Sequence, residues 1–188
     1  MTRITVVYHS GYGHTQRLAQ AVAEGANAEL LAIDADGNLS PDGWRQLRDS
    51  DAIIFGTPTY MGSVSWQFKK FADASSKPWY AQEWKDKIAA GFTNSAGMIG
   101  DKQGTLLTLF TLAMQHGMIW VSQGLMPAQL KSSRRDDVNF LVSYSGAVAA
   151  SPADGGVGDM ARGDLETARL FGQRVAEIAA RLRPPPTA

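Results

Sequence analysis

The sequence predicts an α/β fold, a doubly wound five-stranded parallel sheet in a three-layer sandwich. Three observations lead there. Short β-rich apolar runs alternate with stretches of helical period over most of the chain. The first, third and fourth of these runs each open into a loop of glycine and small polar residues. At 188 residues the chain suits one domain, 1–188, able to bury roughly 70% of its unfolded surface.

Taken in order, Ile4 to Tyr8 reads as a buried strand. Leu18, Ala21, Val22 and Gly25 then fall on one helical face. Leu30 to Ile33 is the second strand and runs into the turn-rich Asp34-Ala35-Asp36-Gly37-Asn38. Pro41 to Asp49 makes a short helix with proline in its first turn. Ala52 to Phe55 is the clearest strand, ended by Gly56-Thr57-Pro58; Val64, Phe68, Phe71 and Ala72 resume the helical spacing. Ile88 to Thr93 is the fourth strand, Leu106, Phe110 and Ala113 mark the next helix, and Met118 to Val121 is the fifth strand. A long polar loop is expected over 131–162, where Arg134-Arg135-Asp136-Asp137 reads as a self-neutralising solvated turn. The last helix, Asp164 to Arg183, buries Ala168, Phe171, Val175, Ile178 and Leu182, and a tail at 184–188 follows.

Composition excludes several function classes. Eighteen basic residues balance eighteen acidic ones, so charge gives no reason to expect a nucleic acid as partner. No cysteine is present, which removes disulfides, thiolate metal sites and thiol catalysis. Three dispersed histidines make no metal site. No apolar run approaches the roughly 18 residues of a membrane span, so no membrane insertion is expected and the cytoplasm is the expected location.

The three loops carry the chemistry. Ser10-Gly11-Tyr12-Gly13-His14-Thr15 leads straight into the first helix: two hydroxyls bracket two glycines, and the helix start supplies free N–H groups. That set suits a phosphate without a lysine. A dinucleotide fingerprint competes, because Gly11-x-Gly13 fits its first half and Asp34 lies where a ribose-binding acid would sit, although the third position is Gln16. An ordinary capped turn is the plain alternative. Pro58-Thr59-Tyr60-Met61-Gly62 offers a ledge for a flat heteroaromatic ring, and Asn94-Ser95-Ala96-Gly97-Met98-Ile99 a second small, polar wall. Together they describe a phosphate at the first loop and a planar ring between the other two.

Tyr8-x-Ser10-x-Tyr12-Gly13-His14-Thr15 with Ala21 to Ala26, Asp51 to Thr59 with Gly62, and His116-Gly117-Met118 together resemble the WrbA-type NAD(P)H:quinone oxidoreductases. The resemblance implies a flavodoxin-like fold and FMN as cofactor. It implies NAD(P)H as co-substrate and a quinone-like small molecule as acceptor. It carries the phosphate loop onto Ser10 to Thr15, the ring contacts onto Thr59, Tyr60 and Met61, and the third flavin loop onto Asn94 to Ile99. Tyr60 stands where the family usually has arginine. His116 is then the candidate catalytic residue, placed to orient or protonate a quinone oxygen. Tyr12 and Trp79 are candidate substrate walls, Trp79 matching a tryptophan that the family contributes from an adjacent subunit. A homo-oligomer, dimer or tetramer, follows from the same resemblance. Two alternatives share the fold and cofactor: a flavodoxin-type electron carrier, and an FMN, azo or chromate reductase.

Overall fold

A computed structural model of the chain describes residues 2–182; the expected tail at 184–188 lies outside them. The element order is β1 (Ile4–Tyr8), α1 (His14–Ala26), β2 (Glu29–Ala32), α2 (Pro41–Asp49), β3 (Ala52–Tyr60), β4 (Ser63–Val64), α3 (Trp66–Ala74), α4 (Ser76–Tyr80), β5 (Ile88–Ser95), α5 (Lys102–Gln115), β6 (Ile119–Trp120), β7 (Ala147–Ala150) and α6 (Arg162–Leu182). The main sheet runs β2-β1-β3-β5-β6, all parallel. Chain order reverses between β1 and β3, which opens a crevice beyond their carboxyl ends.

Side chains alternate across the sheet because successive strand residues point to opposite faces. Ile4, Val6 and Tyr8 of β1, Ala52 and Ile54 of β3, and Ala90 and Phe92 of β5 meet α1 and α6 on one face. Val7, Ile53, Phe55 and Ala89 meet α2, α3, α5 and Trp84 on the other. α2 begins as its sequence predicts: Pro41 takes the first turn, and the Ser40 hydroxyl accepts the Gly43 N–H at 3.1 Å. Among the described residues, no helix is long and apolar enough to cross a membrane.

Several expectations are corrected. β3 does not stop at Phe55; it continues through Pro58 to Tyr60, pairing with β5 as far as Asn94, and then folds back on β4. Met61 and Gly62 form the two-residue hairpin loop, both at positive φ (49° and 80°), as a type I′ turn requires. Val64 therefore lies in β4, not in the following helix. β2 is a half-exposed edge strand, with Leu30 facing solvent. Phe110 turns partly outward on α5 and packs edge-on against Trp120, leaving Leu106, Leu109 and Ala113 to the core. Leu182, expected on the buried stripe of α6, is exposed.

The largest correction concerns 131–162. This stretch contains β7, which pairs in parallel with Phe92–Ser95, while β6 pairs only with Ile88 and Ala89. The fifth sheet position is thus shared by two short strands, and residues 121–146 loop out between them. Nor is Arg135 part of a self-neutralising turn. Its guanidinium donates at 2.6 and 2.5 Å to both oxygens of Asp164, a residue only 3% exposed at the start of α6. Asp164 also accepts the Ala150 N–H at 2.9 Å, which fixes the carboxyl end of β7.

Candidate cofactor site

A cleft of about 510 Å³ lies at the carboxyl ends of β1, β3, β5 and β7, a size suited to a small-molecule ligand. The first loop is built on Ser10, whose hydroxyl accepts the N–H groups of Gly13 and Gln16, both at 3.1 Å. Gly13, at φ 91°, turns the chain into α1 in a conformation that a side chain would oppose. The N–H groups of His14 and Thr15 have no intrahelical acceptor, because they belong to the first turn. Tyr12, His14 and Thr15 line the cleft at this helix start.

The second wall is the end of β3. The Thr59 hydroxyl lies 2.8 Å from those of Thr93 and Thr105, tying β3 to β5 and α5. Below it, Ser65 caps α3 and lies 2.9 Å from Nδ1 of buried His9, whose pKa desolvation lowers. Tyr60 packs edge-on against Tyr12 at 6.3 Å, and its hydroxyl lies 2.6 Å from the point that a Cβ on Gly11 would occupy. Burial, then the neighbouring Tyr12, raises the Tyr60 pKa, so its phenol is a neutral donor at physiological pH.

Asn94, Ser95 and Ala96 form the third wall, and Ser151, Pro152, Ala153, Gly155 and Gly156 a fourth. Sequence reasoning missed that fourth loop because it sat inside the stretch expected to be irregular. The Asn94 amide donates to the Ser151 hydroxyl at 2.9 Å, and His14 Nε2 lies 3.1 Å from the Gly155 carbonyl. The fourth loop is thereby fastened to the third and the first.

Of the expected cofactor residues, Tyr12, His14, Thr15, Pro58, Thr59, Tyr60, Asn94, Ser95 and Ala96 line this cleft. Ser10, Gly11 and Gly13 shape the first loop from behind. Met61 and Gly62 stand at the hairpin tip, and Gly97, Met98 and Ile99 form the outer turn of the third loop. Asp34 does not serve a dinucleotide: its carboxylate closes its own turn, accepting the N–H groups of Asp36 and Asn38 at 2.9 and 2.7 Å.

Trp79 and His116 are brought together, but in a different groove between α3, α4 and α5. Trp79 is half-exposed on α4. His116 is buried at the end of α5, its ring 4.2 Å from that of Trp84. The Ser75 hydroxyl gives its proton to the Ala72 carbonyl at 2.6 Å, so His116 Nε2 donates to Ser75 at 2.9 Å and Nδ1 is bare. Desolvation lowers the His116 pKa to about 4, well away from the near-neutral value that its expected acid–base role required. A native pKa below the unfolded value of 6.5 means that the unfolded chain binds the extra proton. Stability is therefore expected to fall as pH drops from about 6.5 towards 4, by at most about 3 kcal/mol from this residue. Urea midpoints across that range should show a shallower loss in His116→Phe.

Comparison with known proteins agrees with this geometry. Residues 42–131 match the family described as NADPH-dependent FMN reductase. Flavodoxin FldP of Pseudomonas aeruginosa is 53% identical over 97% of this chain and 99% of its own length. An NAD(P)H dehydrogenase (quinone) of Geobacter sulfurreducens is 35% identical over 95% of this chain and 98% of its own. The chain belongs to the WrbA-like family of flavodoxin-fold proteins. The crystal structure of a WrbA-like flavodoxin from Agrobacterium tumefaciens, 55% identical, superposes with a TM-score of 0.82 over 97% of this chain and 100% of that one. FMN is the cofactor of the WrbA-like family, and the residues present fit it: free first-turn amides for a phosphate, two tyrosines, and a cleft of sufficient volume.

Proposed function

We propose that the chain is an FMN-dependent oxidoreductase that passes two electrons from NAD(P)H to a quinone or similar planar acceptor. The observation that carries this reading is the cleft itself, which joins neutral phosphate donors at the start of α1 to aromatic side chains, Tyr12 and Tyr60, at its mouth. Bound there, FMN would supply hydride-level redox chemistry between a nicotinamide and the acceptor, with solvent supplying the second proton that a quinone needs. The protein's part is to hold the phosphate at residues 10–15, wall the ring between Thr59–Tyr60 and Asn94–Ala96, and leave one face open. Donor and acceptor then use that face in turn, which predicts parallel lines in two-substrate initial-rate plots.

The Trp79–His116 groove does not join the cleft within one chain; the resemblance to a family whose tryptophan comes from an adjacent subunit supports an assembly in which it faces a neighbour's cleft. His116 then backs that groove as a buried neutral ring that holds Ser75, and the half-exposed Trp79 offers the acceptor its surface. Trp79→Ala is expected to raise KM for the quinone several-fold while leaving FMN content unchanged.

A flavodoxin-type carrier is the second reading, favoured by the name of the 53% identical relative. The balanced charge, eighteen against eighteen, favours the enzyme, since a carrier docking on basic partners gains from acidity. Purified protein loaded with FMN should oxidise NADH or NADPH when benzoquinone is present. A yellow protein that does not is a carrier, and one that binds no FMN refutes both readings. Ser10→Ala removes the acceptor of two loop N–H groups and is expected to weaken FMN binding about tenfold, measured by fluorescence quenching.

A further inference from the structure

Lys102 opens α5 and is only 3% exposed. Its ammonium donates to the carbonyl of Gly97 and, at 3.2 Å, to that of Met98. The Ser95 hydroxyl on the cleft wall donates to the same Gly97 oxygen at 3.3 Å. Among the described residues no carboxylate bonds to this ammonium, and the acidic group that bears on it most, Asp164, is already held by Arg135. A buried cation served only by carbonyl oxygens is costly. Desolvation lowers its pKa to about 8, and it stays predominantly protonated at pH 7.

Its geometry has a second effect. In a trans peptide the N–H points opposite to the C=O. Two carbonyls turned inward onto Lys102 therefore turn the N–H groups of Met98 and Ile99 outward, and among the described residues neither has a hydrogen-bond partner. The result is a pair of outward amides braced from behind by a positive charge, on the third loop, whose first residues Asn94 to Ala96 line the cleft.

We propose that Lys102 is a positioning residue that sets the redox preference of the site: through the Met98 and Ile99 amides and its own charge it favours reduced FMN over oxidised FMN. This rests on the reading that FMN occupies the cleft. Reduction adds two electrons and one proton to the ring system, which leaves one negative charge. An oriented donor pair backed by a cation stabilises that charge without moving.

The test uses the whole 188-residue chain, wild type beside Lys102→Met, Lys102→Gln and Lys102→Arg. Oxidised FMN is titrated into each apoprotein, and the two-electron midpoint potential of each FMN complex is measured at pH 7 by dye-coupled reduction. Lys102→Met keeps the stem and removes a desolvated charge; Lys102→Gln is the second neutral variant. Loss of the charge should weaken binding of reduced FMN about tenfold more than that of oxidised FMN, equivalent to a fall of about 30 mV. Lys102→Arg should keep most of the wild-type potential. A merely structural lysine would weaken both redox forms equally and leave the potential in place, and that result overturns the proposal, as does an arginine variant shifted as far as the neutral ones. Failure of the wild type to bind FMN at all would instead bring down the reading beneath it.

Discussion

Asp164→Ala is expected to destabilise the protein by about 3 kcal/mol, the lower end of the range for breaking a buried ion pair, because Arg135 keeps partial access to water. The carboxylate accepts both guanidinium N–H groups and the Ala150 N–H. Its removal strands a half-buried cation and a buried backbone donor together. The effect should reach the cleft, since Ala150 leads directly into Ser151, whose hydroxyl receives the Asn94 amide. FMN affinity is therefore expected to fall in the variant even where it is fully folded. Asp164→Asn keeps an acceptor for Ala150 and should lose less on both counts. Urea unfolding and FMN titration measure the two effects, and an unchanged midpoint for the alanine variant would show that the pair holds nothing.

Gly172→Ala is expected to destabilise despite alanine's better helix propensity, worth about 1 kcal/mol at an open position. A Cβ at Gly172 would stand 2.1 Å from the Val22 carbonyl oxygen, and one at Gly25 would stand 1.8 Å from that of Arg169. α1 and α6 thus cross with backbone against backbone at two reciprocal points, and neither obstacle is a side chain that can swing away. Forcing them apart is expected to cost about 3 kcal/mol, and for a chain of this length about 6–12 °C in Tm. Because α1 carries the first loop of the cleft at its amino end, Gly25→Ala should also weaken FMN binding, whereas Gly→Ala at exposed Gly158, with nothing within 4 Å, should not.

The alternation of strand and helix was legible because it is carried by runs of several apolar residues, such as Ala52 to Phe55 and Leu18 to Val22. The tight turn of the first loop into α1 was legible because glycines, hydroxyls and a helix start coincide at Ser10 to Thr15. β7 was not: Ala147 to Ala150 is four residues long, has no period, and owes its strand geometry to the exposed edge of β5 and to the grip of Asp164 on Ala150. The continuation of β3 was hidden by Pro58, which signals a break locally but lacks only a donor, and which pairs opposite Asn94 just before the sheet gives way to the hairpin. In the sequence Asp164 marks only the start of the last helix, since its partner Arg135 lies 29 residues away. Nor does a lysine beside a glycine loop announce that it is buried.

The shared fifth position has one more consequence. A long, flat outer strand offers a row of unpaired amides on which a foreign chain can grow. Here that rim is divided between a two-residue and a four-residue segment with an excursion between them, so no continuous template for fibril growth is exposed there. The same break that lets β7 carry the chain into the fourth wall of the cleft thus also interrupts the rim on which a foreign strand could grow.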